Sequence, residues 1–401
     1  MAEQTITTRT TREAVLETPE TWVGSIMPET FLTHLFRYDN EGNETYKIKK
    51  VTTIPAIHNC IKEGLDNAMD YAKKEIVVRL NRSNNTITIR NDVSQPISSN
   101  DAQVAFCDFR SSSNYHEGSG TKMGRNGVGI KGLNTWCKEF RFTIGNHLSH
   151  TKYTQTCRDN LSSIGSPKVI KYTNKSSFVE ICFALDLDRF KEKAQASTKK
   201  QLSFGKVDRY FYDLVTRQVL DMAASCPHLK IKYDNGIVGP GAGDKTLEKG
   251  LMPYLKRFQR PVYECKKKTP ASVCVMAAVE DVQMPSFVNR GLIKHGGTHV
   301  KAVQSDFVKH LTVPADLKNV KNIQKKVKDE LWFVVACMVS NPVFDGQTKT
   351  TLTTPLEWPS MFSQTTVKTC LEMLGTWDTI REKYLPKKKA PRRKKVNFEQ
   401  S

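Results

Sequence analysis

The sequence contains a glycine-rich stretch, Gly124-Arg125-Asn126-Gly127-Val128-Gly129-Ile130-Lys131, that runs into residues suited to a helix. Glycines at this spacing let backbone N–H groups approach phosphates without a Cβ clash, and a helix that starts behind them adds the positive end of its dipole. Glycine-rich loops also serve as plain turns. The stretch therefore predicts a nucleotide site only if the other groups that such a site needs occur elsewhere in the chain.

Residues 54–73 carry apolar side chains at steps of three and four, which predicts a helix with one buried face. Glu63, Asn67 and Asp70 share a different face of that helix. Glu63 is a candidate general base, and the neutral amide oxygen of Asn67 suits Mg²⁺. Taken singly, both residues also read as ordinary helix-surface positions.

A predicted hairpin follows, with strands near residues 75–80 and 86–90. Asp92 stands at the end of the second strand, where its carboxylate can accept a hydrogen bond from an adenine amino group. The alternative is an ordinary turn aspartate.

The net charge of +20 predicts a polyanionic partner, with nucleic acid first and an acidic membrane second. Residues 387–395 carry seven positive charges and no acid, so thirteen of the twenty lie elsewhere. The tail reads as a solvated terminus or as a DNA-contacting or nuclear-targeting segment.

Ten cysteines occur without a C-x-x-C pair, which favours reduced, buried thiols over disulfides or zinc. The chain has no apolar run of 18 residues, and its first residues lack an apolar signal core. We expect an intracellular protein without a membrane partner, in the nucleus or another DNA-containing compartment, including the cytoplasm of a bacterial or virus-infected cell.

We place a domain boundary within the proline-containing, charged segment 258–270. The residues before position 20 read as a flexible arm. Beyond the boundary, the pattern predicts strands at 272–280 and 286–293, then helices near 299–311, 316–340 and 365–384.

The segments Glu63–Asp70, Ile89–Asp92 and Gly124–Lys131 resemble, in this order, the motifs of the GHKL ATPases. In detail they look most like the ATPase region of eukaryotic-type type IIA DNA topoisomerases. Four further segments are similar to that region: Thr18–Ser25, Ser112–Tyr115, Gly296–Val300 and Asn341–Lys349. The resemblance covers about residues 15–385.

The resemblance implies an α+β fold, with a GHKL (Bergerat) ATPase α/β sandwich followed by a transducer domain of ribosomal-S5-like fold. The implied organisation is an N-terminal arm over 1–25, the GHKL domain over 26–258, the transducer over 259–385 and a basic tail over 386–401.

The resemblance also assigns roles to residues. Glu63 would activate water, Asn67 would hold Mg²⁺ and Asp92 would recognise the adenine of ATP. Lys349, on a QTK loop from the transducer, would neutralise charge on the γ-phosphate and act as a catalytic residue. The remaining implied nucleotide contacts are Ser112, Ser113, Asn114, Arg125, Asn126, Gly127, Val128, Gly129, Lys131 and Gln347.

Implied partners are a second copy of the chain, joined on ATP binding, and double-stranded DNA held between basic surfaces. Candidate DNA-facing residues, which read equally as a solvated face, are Lys318, Lys321, Lys325, Lys326, Lys328 and the tail. Nothing in the sequence resembles the TOPRIM metal site or the nucleophilic tyrosine of the cleavage domain. A fragment, a subunit of a split enzyme that uses a separate cleavage subunit, and a free-standing ATPase clamp all stay open.

The sequence departs from the family near the base. Val93-Ser94-Gln95-Pro96 stands where Gly-x-Gly is usual, and Val179 stands where a Thr is common. These departures keep open a module that binds nucleotide as a switch with little hydrolysis. A chaperone or mismatch-repair ATPase fits the Gln347-Thr348-Lys349 context less well, and a histidine kinase less still.

Overall fold

A computed structural model describes residues 8–111, 120–123, 127–198, 209–267, 270–279, 282, 284–346 and 348–385. The helices in these residues are α1 (Thr11–Glu17), α2 (Pro19–Trp22), α3 (Pro55–Tyr71), α4 (Ala102–Cys107), α5 (Gly129–Thr135), α6 (Leu187–Ala196), α7 (Phe211–Ser225), α8 (Leu251–Lys256), α9 (Thr298–Lys309), α10 (Ile323–Asp329), α11 (Gln364–Met373) and α12 (Thr376–Tyr384). The strands are β1 (Glu29–Tyr38), β2 (Glu44–Thr53), β3 (Ala72–Asn81), β4 (Thr86–Val93), β5 (Cys137–Asn146), β6 (Thr151–Arg158), β7 (Ser163–Ile164), β8 (Lys168–Lys171), β9 (Ser177–Leu185), β10 (Lys230–Asp234), β11 (Lys245–Thr246), β12 (Val262–Glu264), β13 (Ala271–Ala277), β14 (Ser286–Val288), β15 (Gly291–Ile293) and β16 (Leu331–Cys337).

The first large sheet has nine strands in the order β11-β10-β3-β4-β9-β5-β6-β7, with β8 also paired to β6. The predicted hairpin is confirmed as β3–β4, and the predicted helix over 54–73 is confirmed as α3. The buried face of α3 includes Ile57, Ile61 and Leu65, which join the main apolar core. Burial of this face fixes the orientation of α3 beside the sheet, and with it the face that carries Glu63 and Asn67.

The second sheet has five strands in the order β12-β13-β16-β14-β15 and packs with α9 to α12 around a second apolar core. The prediction of one long helix over 316–340 is wrong. Within residues 316–340, the only α-helix is α10, and Leu331–Cys337 forms the central strand β16. A short run of buried apolar residues fits a strand or a helix equally well, so periodicity alone could not separate them.

Two other predicted elements are divided. The strand over 286–293 is a hairpin, β14–β15, whose turn residues Asn289 and Arg290 have positive φ. The helix over 365–384 is interrupted at Gly375, with φ +61, between α11 and α12. The hairpin β1–β2, which the sequence reading did not include, forms a separate two-stranded sheet.

Part of the predicted flexible arm is folded. Thr10 and Glu13 form a capping box at the start of α1, which fixes the first turn of this helix. Val15 is fully buried, and Arg12 Nε donates to the carbonyl oxygen of Asn160 at 2.6 Å. The arm therefore packs on the body from α1 onward.

Apolar side chains of the nine-stranded sheet and of the second sheet belong to one continuous core, which the hairpin β1–β2 also contacts. The ring of His34 lies 4.4 Å from that of Phe258 and 5.4 Å from that of Trp332, measured between centroids. Trp332 belongs to the second sheet and His34 to the hairpin β1–β2. The predicted boundary within residues 258–270 falls between α8 and β13, and independent folding on either side of it stays a prediction. Within the residues described, no helix is long and apolar enough to cross a membrane.

Candidate functional site

A cavity of about 1020 Å³ lies between α3, α4, the β4–β9 part of the sheet, the start of α5 and the loop Pro342–Lys349. Its lining includes the apolar side chains of Ile89, Val93 and Ile181 and the charged side chains of Glu63, Lys131 and Lys349. The cavity thus combines an apolar compartment with a polar end, as a nucleotide requires. The predicted residues in its lining are Glu63, Asn67, Gly127, Val128, Gly129, Lys131 and Lys349.

Glu63 and Lys349 meet at the polar end. Lys349 Nζ lies 3.8 Å from Glu63 Oε1, and the two side chains are only 12% and 18% exposed, respectively. Glu63 comes from α3 of the first unit, and Lys349 follows β16 of the second sheet. The cavity therefore brings together one side chain from the part of the chain around the nine-stranded sheet and one from the part around the five-stranded sheet.

The turn that presents Lys349 is held by Asp345. Thr350 Oγ1 donates to Asp345 Oδ2 at 2.7 Å, and the Thr351 backbone N–H donates to Oδ1 at 2.9 Å. Burial works to raise the pKa of Asp345, but these hydrogen bonds outweigh it and hold the pKa below its ordinary value. Lys349 itself has φ +54, a backbone conformation that such a tight turn imposes.

Two glycines, one just before α5 and one at its first residue, allow the chain to come close to its neighbours. A Cβ at Gly129 would overlap the Glu63 carboxylate. Gly127 has φ +59, and a Cβ there would overlap the backbone carbonyl of Ser111. The sequence uses glycine at these positions because a side chain would displace the acid or the loop.

Asn67 is oriented by its own helix. Its amide Nδ2 donates to the Glu63 carbonyl oxygen at 2.9 Å, which turns the amide oxygen away from the helix backbone. That oxygen fits Mg²⁺, which takes few ligands from protein and the rest from water and phosphates. Among the described residues, no group of three or more His, Cys, Asp or Glu side chains is placed to hold a metal.

Lys131 is the most deeply buried cation in the lining, with 3% of its surface exposed. Its Nζ donates to the Ser111 carbonyl oxygen at 2.7 Å. Burial lowers its pKa to about 8, although Asp108 works in the opposite direction. A phosphate in the cavity would add negative charge close to this buried lysine.

The strand register places Asp92 away from the cavity, which does not favour the prediction that Asp92 contacts a base. Side chains alternate along β4, and Asn91, not Asp92, is buried and lines the cavity. The Asp92 Oδ1 atom instead accepts hydrogen bonds from the backbone N–H groups of Lys74 and Glu75, both at 2.9 Å. Asn91 was missed, although extending the alternation from Ile87 and Ile89 identifies it.

Other lining groups were also missed. Lys122 lies with its Nζ 4.9 Å from the centre of the Tyr71 ring, and both residues line the cavity. The neighbouring Met123 N–H donates to Asp70 Oδ1 at 3.0 Å, which ties residue 123 to α3. No sequence motif marks these contacts. Six predicted contacts lie outside the described residues and stay predictions: Ser112, Ser113, Asn114, Arg125, Asn126 and Gln347.

The chain is similar to known proteins in sequence. The family model described as DNA gyrase B matches residues 245–397. DNA topoisomerase 2-beta of Gallus gallus is 28% identical over 371 residues, covering 86% of this chain and 21% of the relative. DNA topoisomerase 2 of Saccharomyces cerevisiae is 26% identical over 426 residues, covering 96% of this chain and 28% of the relative. The chain thus spans roughly a fifth to a quarter of the length of these relatives.

Solved structures show the same fold. The ATPase region of Saccharomyces cerevisiae topoisomerase II matches with a TM-score of 0.77 at 24% identity, over 94% of this chain and 98% of that one. The ATPase and transducer domains of DNA topoisomerase II from Balamuthia mandrillaris match with a TM-score of 0.75 at the same identity and coverage. The predicted α+β architecture, a GHKL domain followed by a transducer, is confirmed. In sequence and fold, the chain is similar to the ATPase region of the eukaryotic type II DNA topoisomerases.

Proposed function

We propose that the chain binds and hydrolyses ATP with Mg²⁺, and that ATP closes two copies into a gate that captures double-stranded DNA. The observation that carries this proposal is the approach of Lys349 to Glu63 across the cavity, at 3.8 Å. Glu63 and Lys349 come from the two different parts of the chain, so the site is complete only when these parts hold both side chains in place.

In this proposal Glu63 accepts a proton from the attacking water, because its carboxylate stands beside the start of α5 where the phosphates would lie. Lys349 stabilises the negative charge that develops on the transferred phosphoryl group. Lys131 and the backbone of Gly127 to Gly129 would hold the triphosphate. Mg²⁺, held by Asn67, would neutralise phosphate charge.

At the other end of the cavity, we propose that Asn91 replaces Asp92 as the contact to adenine. An amide offers both a donor and an acceptor, which match the N1 and amino group of adenine. The base would pack against Ile89, Val93 and Ile181, all in the lining. Loss of the γ-phosphate would release Lys349 and its turn, which links hydrolysis to movement between the units.

The DNA-binding part of the proposal is supported by charge. Lys318, Lys321 and Lys325 are exposed on the segment around α10, whereas Lys326 packs 3.4 Å from the centre of the Tyr384 ring. Phosphate contacts by such lysines would make binding fall steeply with salt. DNA cleavage would be supplied by another region or another chain, since no cleavage motif occurs in this sequence.

The experiment is ATP hydrolysis by the wild-type chain and by Glu63→Ala, with and without double-stranded DNA, combined with light scattering in a non-hydrolysable ATP analogue. Glu372→Ala is the matched control, because Glu372 forms an exposed ion pair with Lys368 on α11. We expect the analogue to produce dimers. ATP hydrolysis should be lost in Glu63→Ala and retained in wild type and in Glu372→Ala.

One observation favours a second function, a nucleotide switch with little hydrolysis. Val93 lines the cavity where the resembling family usually has a glycine, so a side chain would stand against the base there. Nucleotide binding without turnover in the wild-type chain would select this function. A chain that binds no nucleotide would contradict both.

A further inference from the structure

The nine-stranded sheet has an open edge formed by β7 and β8. Within the described part of the chain, both strands pair with β6 and with no other strand. Every residue of β7 and β8 is exposed. An open edge of this kind presents unpaired backbone groups to any extended chain that approaches it.

The hydrogen-bond phase of β8 can be read from its continuation. Tyr172 N–H donates to the His150 carbonyl oxygen at 2.8 Å, in register with the pairing of Lys171 with Thr151. Antiparallel pairs alternate, so Ile170 and Lys168 bond to β6, whereas Val169 and Lys171 direct their N–H and C=O groups outward. Two residues of β8 therefore offer donors and acceptors at the correct spacing for an added strand.

The same edge is apolar. Ile164, Val169 and Ile170 are 42%, 50% and 47% exposed, and Leu148 at the tip of the neighbouring β5–β6 hairpin is 69% exposed. Val169 and Ile170 point to opposite faces of the sheet, because side chains alternate along a strand. An added strand would find apolar side chains on both of its faces.

The charge along β8 and beside it is positive, whereas the exposed Asp159 precedes β7. Lys168 and Lys171 end β8, Lys175 follows, and Lys152 lies opposite Ile170 on β6. No acidic residue occurs from residue 160 to residue 176. Two copies of this edge would repel each other, and so would the edge and the lysine-rich segment 387–395 of this chain.

We propose that β7 and β8 form a docking edge for an extended segment of a partner protein that alternates acidic and apolar residues and adds to the sheet as a strand. The outward backbone groups give the affinity, and the lysines select an acidic partner over a second copy. This surface is separate from the cavity, so the inference does not depend on the proposed ATPase activity.

The test measures fluorescence anisotropy with the full chain and a short labelled peptide in which Glu and Val alternate. Val169→Pro removes one outward N–H while leaving the bonds of β8 to β6, and Val169→Thr is the matched control that keeps this N–H. We expect wild type and Val169→Thr to bind alike. Binding should weaken about tenfold in Val169→Pro and in Lys168→Glu/Lys171→Glu, the loss expected for one hydrogen bond or for reversed charge.

A peptide that alternates Lys and Val should fail to bind wild type and should bind the Lys168→Glu/Lys171→Glu variant. Circular dichroism and thermal unfolding of each variant show whether it is folded. The proposal is overturned if wild type does not bind the acidic peptide, or if Val169→Pro binds it as tightly as Val169→Thr. It is also overturned if the edge variants change self-association instead, or if double-stranded DNA occupies the edge regardless of the Val169→Pro change.

Discussion

Asn91 on β4 lies directly opposite Val179 on β9 in the antiparallel pairing of the two strands. Both side chains line the large cavity, so an amide and an apolar group form adjacent parts of its floor. If a base binds there, Asn91 supplies the hydrogen bonds and Val179 supplies only packing. Recognition would then depend on one side chain rather than two.

We therefore predict that Asn91→Ala weakens ATP binding by about tenfold to a hundredfold, since a buried base edge would lose its partner. Asp92→Asn should leave binding within about twofold, because Asp92 bonds to the backbone of β3 and does not line the cavity. Isothermal titration with ATP measures both. Equal losses in the two variants would contradict the proposal that Asn91, and not Asp92, contacts the base.

The difference between these two neighbours shows what the sequence could and could not provide. The motif Ile89-Arg90-Asn91-Asp92 marked the right strand end, but choosing between adjacent residues requires the face of the strand. The alternation of Ile87 and Ile89 held that information. By contrast, nothing in the sequence showed that Asp92 is engaged by the N–H groups of Lys74 and Glu75.

Other parts of the site were predictable because each rests on local chemistry. Glu63 and Asn67 share a helix face at a spacing of four residues, and glycine was required next to them at Gly129. The strand β16 was not predictable from periodicity, since Leu331–Cys337 is uniformly apolar. The arm at α1 was expected to be flexible because residues 1–20 are rich in threonine and other polar side chains, yet Val15 is fully buried.

The turn that carries Lys349 provides a second prediction. Asp345→Ala removes the acceptor for Thr350 and Thr351 and so loosens the turn. We expect kcat for ATP hydrolysis to fall about tenfold, with nucleotide affinity changed by less than about threefold, because a displaced lysine acts mainly on the transition state. Steady-state kinetics and titration separate the two effects.

The matched control for the turn is Asp378→Ala, which removes an exposed carboxylate on α12 that pairs with Arg381. It should leave both kcat and affinity unchanged. If Asp345→Ala weakens nucleotide binding as much as it slows turnover, Asp345 supports the whole cavity and not the position of Lys349.

Gly129 provides a third prediction, because a Cβ at this position would overlap the Glu63 carboxylate. Gly129→Ala should lower turnover by about a hundredfold, since Glu63 must move from its place beside the loop. Gly346→Ala is the control: Gly346 also lines the cavity, but open space surrounds the position of its Cβ. Turnover in the two variants, measured with thermal unfolding, distinguishes displacement of the acid from general damage.

Retained turnover in Gly129→Ala would mean that Glu63 relaxes without loss of function, which would weaken its assignment as the base. Lost turnover in both glycine variants would point to the shape of the cavity instead.

Lys131 provides a prediction about pH, because burial lowers its pKa to about 8 in the free protein. A triphosphate requires the charged lysine, so nucleotide affinity should fall as the pH rises through about 8. Between pH 7 and pH 9 the charged fraction of a group with this pKa falls about tenfold, which bounds the loss of affinity from this residue. Titration of a non-hydrolysable ATP analogue across this range measures it.

The lowered pKa of Lys131 affects the stability of the fold in the direction opposite to its effect on nucleotide affinity. The pKa of Lys131 is lower in the folded chain than its ordinary value of 10.5, so the unfolded chain binds more protons between about pH 8 and that value. Stability from this residue therefore rises with pH in that window. Lys131→Arg keeps the charge throughout and should remove the pH dependence of binding, at some cost in fit. If binding in wild type and Lys131→Arg falls equally between pH 7 and pH 9, another group controls the titration.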